Sequence, residues 1–133
     1  MKIGSMRQKT IVLIGLLAAA CTSATQAAPY LMYRDAGCGC CMAWAAHARA
    51  HLKQEVQVRE DVPMASVKSQ LGVPAALASC HTTVIEGYVI EGHVPAREIN
   101  RLLKERPRDI KGLAVAGMPL GSPGMETGGR TQP

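Results

Sequence analysis

The sequence has 133 residues, of which 47% are hydrophobic and 19% charged, and this length gives room for one compact domain rather than two. Aromatic residues make up only 3%, with no Phe, so neither a Phe-rich core nor an aromatic platform for nucleic acid is expected. The formal net charge is +5, but three basic residues, Lys2, Arg7 and Lys9, precede the apolar run over 11–20, and without them the remainder has a charge of +2. That charge does not indicate nucleic-acid binding. Five Cys and seven Met favour soft-metal or redox chemistry.

The N-terminal segment has the pattern of a secretory signal peptide. Basic residues precede an apolar run over 11–20, and small residues follow it. We expect a signal peptide, 1–28, that is cleaved, since the apolar run is too short to span a bilayer. The alternative is a lipoprotein signal ending at Cys21, whose lipid would be the only link to a membrane. The prediction is an exported protein.

Apolar periodicity and turn residues predict seven elements in the order β-α-β-α-β-β-α. In chain order these are strand 30–33, a helix from the cysteine motif to Leu52, strand 56–62, helix 64–71, strands 82–85 and 88–90, and helix 95–106. Glu86-Gly87 is a two-residue hairpin signal, and Pro95 is expected in the first turn of the last helix. This order is that of an α/β, thioredoxin-like domain, a small central β-sheet flanked by helices. The likeness is one of fold and does not establish the chemistry.

The segment after Lys111 is rich in Gly and Pro and has no periodic core pattern, so we expect an ordered loop or a tail. One domain, 29–126, is therefore assigned, followed by a flexible tail at 127–133. Met118 and Met125 lie in this segment. Thioethers ligate Cu(I), and a Gly/Pro loop offers these side chains little core to fill. They are candidate ligands if the loop folds over the cysteines.

Cys38, Cys40 and Cys41 lie within four residues at the start of the first predicted helix. A plain C-x-x-C at a helix N-terminus is a dithiol redox motif, because the helix dipole stabilises thiolate. The third Cys changes this interpretation, because three or four thiolates, with Cys80, can bridge Cu(I) in a multinuclear cluster. Two structural disulfides are the alternative, with Cys38 bonded to Cys41 and Cys40 bonded to Cys80.

Histidines add further candidate ligands. Thioredoxin-like folds usually carry a cis-proline before the third strand, facing the C-x-x-C; here Cys80 or His81 takes that place, which opens the site to a metal. A buried, inert Cys80 is the alternative. His93, at the start of the third helix, is another candidate, against a role in capping. His47 and His51 have the i, i+4 spacing of a helical metal pair, although most such pairs are solvated.

Several separate motifs together resemble one family, and they cover nearly the whole predicted mature chain. They are Cys38-Gly39-Cys40-Cys41 followed by Trp44 and His47, Gly72-Val73-Pro74, Ser79-Cys80-His81-Thr82, and the segments 87–95 and 117–126. These motifs resemble the CopG-type family of small exported bacterial proteins, often encoded beside copper-resistance genes. The resemblance implies a thioredoxin-like fold, a periplasmic location and a copper-binding, redox-active role in metal tolerance. It also implies that the four mature cysteines are copper thiolates; Ala48, where Leu is frequent, is a small departure.

Three hypotheses follow from the sequence. The first is a periplasmic copper-binding protein of copper resistance, with copper ions and other periplasmic copper-handling proteins as partners. The second is a thiol–disulfide oxidoreductase in which Cys38 attacks and Cys41 resolves, with Cys40 as the feature against it. The third is a structural zinc domain, which three ligands crowded on one turn disfavour. A hydrolase is disfavoured because phosphate-loop and H-E-x-x-H motifs are missing.

Overall fold

The computed structural model describes residues 28–130. The predicted signal peptide, its cleavage site and Cys21 lie outside the described residues. The elements are β1 Tyr30–Arg34, α1 Gly39–Leu52, β2 Val56–Arg59, α2 Met64–Gln70, a 3₁₀ turn Ala75–Leu77, β3 His81–Ile85, β4 Tyr88–Glu91, α3 Ala96–Glu105 and β5 Gly112–Ala114. The fold is mixed α/β, with a five-stranded sheet and three flanking helices.

The sheet has the strand order β2-β1-β3-β4-β5. Strand β1 lies inside the sheet: it pairs in parallel with β2 and antiparallel with β3, the middle strand, which in turn pairs antiparallel with β4. The turn between β3 and β4 is Glu86-Gly87, where both residues have positive φ (47° and 89°), as two-residue hairpins of this type require. The hairpin prediction is therefore confirmed.

The seven predicted elements are all present, with most boundaries shifted by one residue and the end of β2 shifted by three. Strand β2 ends at Arg59 rather than at residue 62, because β1, its one neighbour within residues 28–130, supplies partners no further than the Tyr33–Arg59 pair. Helix α3 begins at Ala96, so the expectation that Pro95 lies in its first turn is wrong by one residue. Pro95 has an extended backbone (ψ 139°) and serves as the N-cap.

Strand β5 is an element that the sequence analysis missed. It pairs in parallel with β4 over three residues, starting with Val89 opposite Gly112. A side chain at Gly112 would place its Cβ 1.7 Å from the Val89 carbonyl oxygen, so only glycine fits here. Three residues are too few to show strand periodicity. The chain after Lys111 is thus not purely loop, and its first part extends the sheet.

The core lies between the sheet and the inner faces of α1 and α3. Helix α1 buries Trp44, Ala45 and Ala48 at the predicted helical spacing, while Leu52 is only partly buried. The Trp44 indole donates a hydrogen bond to the Val94 carbonyl (2.9 Å), which ties α1 to the start of α3. Within residues 28–130, no helix has the length and apolarity needed to cross a membrane.

Candidate metal centre

The C-x-C-C motif lies between β1 and α1, just beyond the C-terminal end of β1. The Arg34 side chain, at the end of β1, donates a hydrogen bond to the Cys38 carbonyl (2.8 Å) and forms an ion pair with Glu60. These contacts fix the loop that delivers the cysteines to the first turn of α1. No acidic residue lies in that turn, so the positive end of the helix dipole is uncompensated there.

All four cysteines of the described chain come together. Their sulfur atoms lie within 4.8 Å of one another, although Cys80 is 39 positions or more from the motif in sequence. Cys38 and Cys41 form a disulfide, whereas Cys40 and Cys80 are free thiols, so the alternative of two structural disulfides is only half right. Cys41 is fully buried and Cys38 is half-buried, which makes Cys38 the more accessible sulfur of the pair.

Cys80 reaches the motif because β3 pairs with β1. His81, the first residue of β3, lies opposite Arg34, the last residue of β1. The residue before β3 therefore stands beside the residues that follow β1, which is where the cysteine motif begins. The expectation that the Cys80 turn faces the C-x-x-C is confirmed.

Two histidines surround the Cys80 sulfur. The Sγ atom lies 3.1 Å from His93 Nε2 and 3.3 Å from His81 Nδ1. His93 Nδ1 donates to the Pro123 carbonyl (2.7 Å), so the lone pair of Nε2 faces the sulfur. These three side chains form a second group whose donor atoms converge and that could hold a metal ion.

Burial keeps the Cys80 thiol and the His81 ring uncharged at neutral pH. Desolvation, reinforced by the neighbouring Cys40 sulfur, raises the pKa of the Cys80 thiol to about 11. Desolvation, with His93 and Lys68 nearby, lowers the pKa of His81 to about 3. At neutral pH the protonated Cys80 thiol therefore faces the neutral imidazole of His81, and a soft metal would have to displace the thiol proton.

The C-terminal loop packs beside the cysteine motif, which is the condition that the sequence analysis set for Met118 and Met125 as ligands. The Gly117 N–H donates to the Ala78 carbonyl (3.1 Å), and Gly124 lies against α1, close to the Cys40 carbonyl. Met118 is 52% exposed and Met125 is half-buried. The loop is thus in place, while thioether ligation remains a prediction.

The His47–His51 pair does not join the cysteine cluster. His47 Nε2 accepts a hydrogen bond from the Ala96 N–H (3.2 Å), and His51 Nδ1 contacts the His47 carbonyl oxygen (2.8 Å). The two rings are in contact at a tilt of 33°, with their centroids 4.4 Å apart. His47 therefore caps the start of α3, because Pro95 has no side-chain group for that purpose.

A buried ion pair beside the site was missed by the sequence analysis. The Glu91 side chain is 2% exposed and pairs with Lys68, which is 16% exposed. The only signal in the sequence is a carboxylate that ends an otherwise apolar strand, and that signal is too common to interpret alone.

The chain is similar to a known protein family and to solved structures of a copper resistance protein. Residues 77–125 match a family described as Protein of unknown function, DUF411. The solved structure of "Copper resistance protein copG- Form 1" is 47% identical, has a TM-score of 0.72, and the match covers 78% of this chain and 81% of that one. Form 2 of the same protein gives 47% identity, a TM-score of 0.72 and coverages of 79% and 84%. No curated protein matches the chain.

Proposed function

Because the chain belongs to the CopG-type family of copper resistance proteins, we propose that it is a periplasmic copper-binding protein whose clustered cysteines hold copper as thiolates. The ligands are Cys38, Cys40, Cys41 and Cys80. The convergence of their four sulfur atoms within 4.8 Å carries the proposal, because soft thiolates select Cu(I) and can bridge several ions. His93, His81, Met118 and Met125 are the additional candidate ligands.

The redox part of the proposal starts from the disulfide between Cys38 and Cys41. With the disulfide closed, the cluster has two free thiols, Cys40 and Cys80. Reduction of the disulfide takes up two electrons and two protons and gives a cluster of four thiols. Closing it again releases two electrons, the number needed to reduce two Cu(II) to two Cu(I). Copper supplies a one-electron couple when bound, and the thiol pair supplies a two-electron couple beside it.

The test is an anaerobic Cu(I) titration of the reduced mature protein against a competing chelator, with metal counted per chain. We expect more than one tightly held ion and a lower count in Cys40→Ser and Cys80→Ser. His51→Gln is the matched control, because His51 lies outside the cluster. One ion per chain would contradict a multinuclear site, and zinc outcompeting Cu(I) would favour the structural zinc domain instead.

A thiol–disulfide oxidoreductase is the second candidate. It is favoured by the Cys38–Cys41 disulfide at the start of α1, with the accessible Cys38 as the attacking thiol and the buried Cys41 as the resolving thiol. Insulin reduction that is insensitive to Cys40→Ser and Cys80→Ser would support it. Loss of that activity in either variant would not, because neither thiol takes part in a two-cysteine exchange.

We further propose that the domain is thioredoxin-like. The strand order β2-β1-β3-β4, with β3 and β4 antiparallel, and the cysteine motif at the start of α1 support this, while β5 is an addition at the sheet edge. The basic and apolar leader supports export to the periplasm. Cell fractionation with N-terminal sequencing of the mature protein tests export, and a lipid-modified Cys21 would replace the soluble form by an anchored one.

A further inference from the structure

A buried polar network around Glu91 contacts the residues that flank Cys80 in the sequence. Glu91, the last residue of β4, receives hydrogen bonds from the Ser79 N–H (2.7 Å) and from the Thr82 hydroxyl (2.6 Å). The Lys68 ammonium group bridges the same two side chains, with a 2.9 Å hydrogen bond to the Thr82 hydroxyl and an ion pair with the Glu91 carboxylate. Every partner of the carboxylate is a charged or polar donor, which a carboxylate at 2% exposure requires.

Hydrogen bonds to Glu91 hold the chain both before and after Cys80. Ser79 is held through its N–H before the cysteine, and Thr82 is held through its hydroxyl two residues after it. The strand pairing adds a third restraint, because the Gly92 N–H donates to the His81 carbonyl (2.9 Å). The Cys80 backbone is thus restrained through the residues on both sides of it in the sequence.

We propose that Glu91, with Lys68 as its counter-ion, is a positioning residue that sets where the Cys80 sulfur stands relative to the C-x-C-C sulfurs. Glu91 does not touch the sulfur itself; it acts through the Ser79 amide and the Thr82 hydroxyl. The effect of Glu91 on copper binding rests on the proposed function, whereas its effect on the exposure of the Cys80 thiol does not.

The physical reason is that a buried charge is costly when its partner of opposite charge is removed. A neutral amide in place of the carboxylate would leave the Lys68 ammonium without its anion and present an N–H₂ group to donors. The Ser79–Thr82 segment would then lose its anchor while the rest of β3 kept its backbone pairing. Local loosening of this kind exposes the half-buried Cys80 without unfolding the domain.

The test is site-resolved alkylation with N-ethylmaleimide, read by mass spectrometry on full chain that carries the Cys38–Cys41 disulfide. We expect Glu91→Gln to raise the alkylation rate of Cys80 by roughly tenfold and to leave that of Cys40 unchanged. Glu98→Gln is the matched control: it removes the ion pairs of Glu98 with Arg97 and Arg101 on α3, away from the cysteines, and should change neither rate.

Copper binding gives the second readout. After reduction, Glu91→Gln should hold as few Cu(I) ions as Cys80→Ser, with wild-type circular dichroism. If wild-type protein holds no copper but the Cys80 alkylation rate still rises in Glu91→Gln, the proposed function fails and the positioning role stands.

Two results would overturn the positioning role. One is an unchanged Cys80 rate in a folded Glu91→Gln variant. The other is an equal rise at Cys40, which would show general loosening. If Glu91→Gln does not fold, the same measurement on Thr82→Val tests the positioning role. This variant removes the hydrogen bond from the Thr82 hydroxyl to the Glu91 carboxylate and keeps the Lys68–Glu91 ion pair. The Cys80 rate must then rise selectively in Thr82→Val.

Discussion

The Nε2 atom of His93 lies 3.1 Å from the Sγ atom of Cys80, and its other ring nitrogen is held by the Pro123 carbonyl at 2.7 Å. The C-terminal loop therefore sets the orientation of the ring that faces the cysteine cluster. An imidazole fixed in this way through its distal nitrogen is the usual arrangement of a histidine metal ligand.

The first prediction concerns this ring. His93→Gln should lower the affinity for Cu(I) by about tenfold or more, because it removes an oriented nitrogen donor beside Cys80. Competition with a Cu(I) chelator measures the change. His51→Gln, an exposed histidine outside the cluster, should leave the affinity unaltered; an equal loss in both variants would contradict a local role for His93.

The second prediction links copper capacity to the Cys38–Cys41 disulfide. Protein with the disulfide closed has only Cys40 and Cys80 as free thiols in the described chain, so it should hold fewer Cu(I) ions than the reduced protein. Anaerobic titration of the two forms, with free thiols counted in parallel, measures the difference. Equal copper counts in both forms would show that Cys38 and Cys41 are not ligands.

Much of this centre could be predicted from the sequence, because its largest part is local. The three cysteines of the motif are neighbours in the chain, and the β-α-β-α-β-β-α order predicts that Cys80 faces them. The Cys38–Cys41 spacing also fits the disulfide that the structure contains.

The parts that could not be predicted depend on contacts between distant segments. The pairing of Lys68 with Glu91 spans 23 positions, and neither residue shows in the sequence that it is buried. The cap that His47 gives to α3 depends on how two helices pack, so its spacing to His51 suggested a metal pair instead. Strand β5 is too short for periodicity and exists because β4 offers an unpaired edge.

The third prediction concerns the contact between the C-terminal loop and α1. A Cβ at Gly124 would lie 2.7 Å from the Trp44 backbone nitrogen and 2.9 Å from the Cys40 carbonyl oxygen, and the residue has φ +84°. Because backbone atoms cannot yield as a side-chain end can, Gly124→Ala should cost roughly 1–3 kcal/mol of unfolding free energy. Urea denaturation measures it. Gly128→Ala is the control for the positive φ alone, because its Cβ would meet nothing within 4 Å; an equal cost in both would contradict the clash.

The last prediction concerns pH and His47. Burial, followed by the nearby His51, lowers the pKa of His47 below its ordinary value of 6.5, and the ring accepts a hydrogen bond from the Ala96 N–H. As the pH falls, the unfolded chain binds this proton before the folded protein does, so the contribution of His47 to stability is present above pH 6.5 and is lost below it. Urea denaturation at pH 7.5 and at pH 5 should therefore show a smaller loss of stability in His47→Gln than in the wild type, since Gln keeps an acceptor without titrating.

His81, buried with a pKa of about 3, also destabilises the fold in acid, so the wild-type difference reports both rings and only the comparison with His47→Gln isolates one. An identical pH dependence in the variant would show that the Ala96 contact does not sense the charge of the ring.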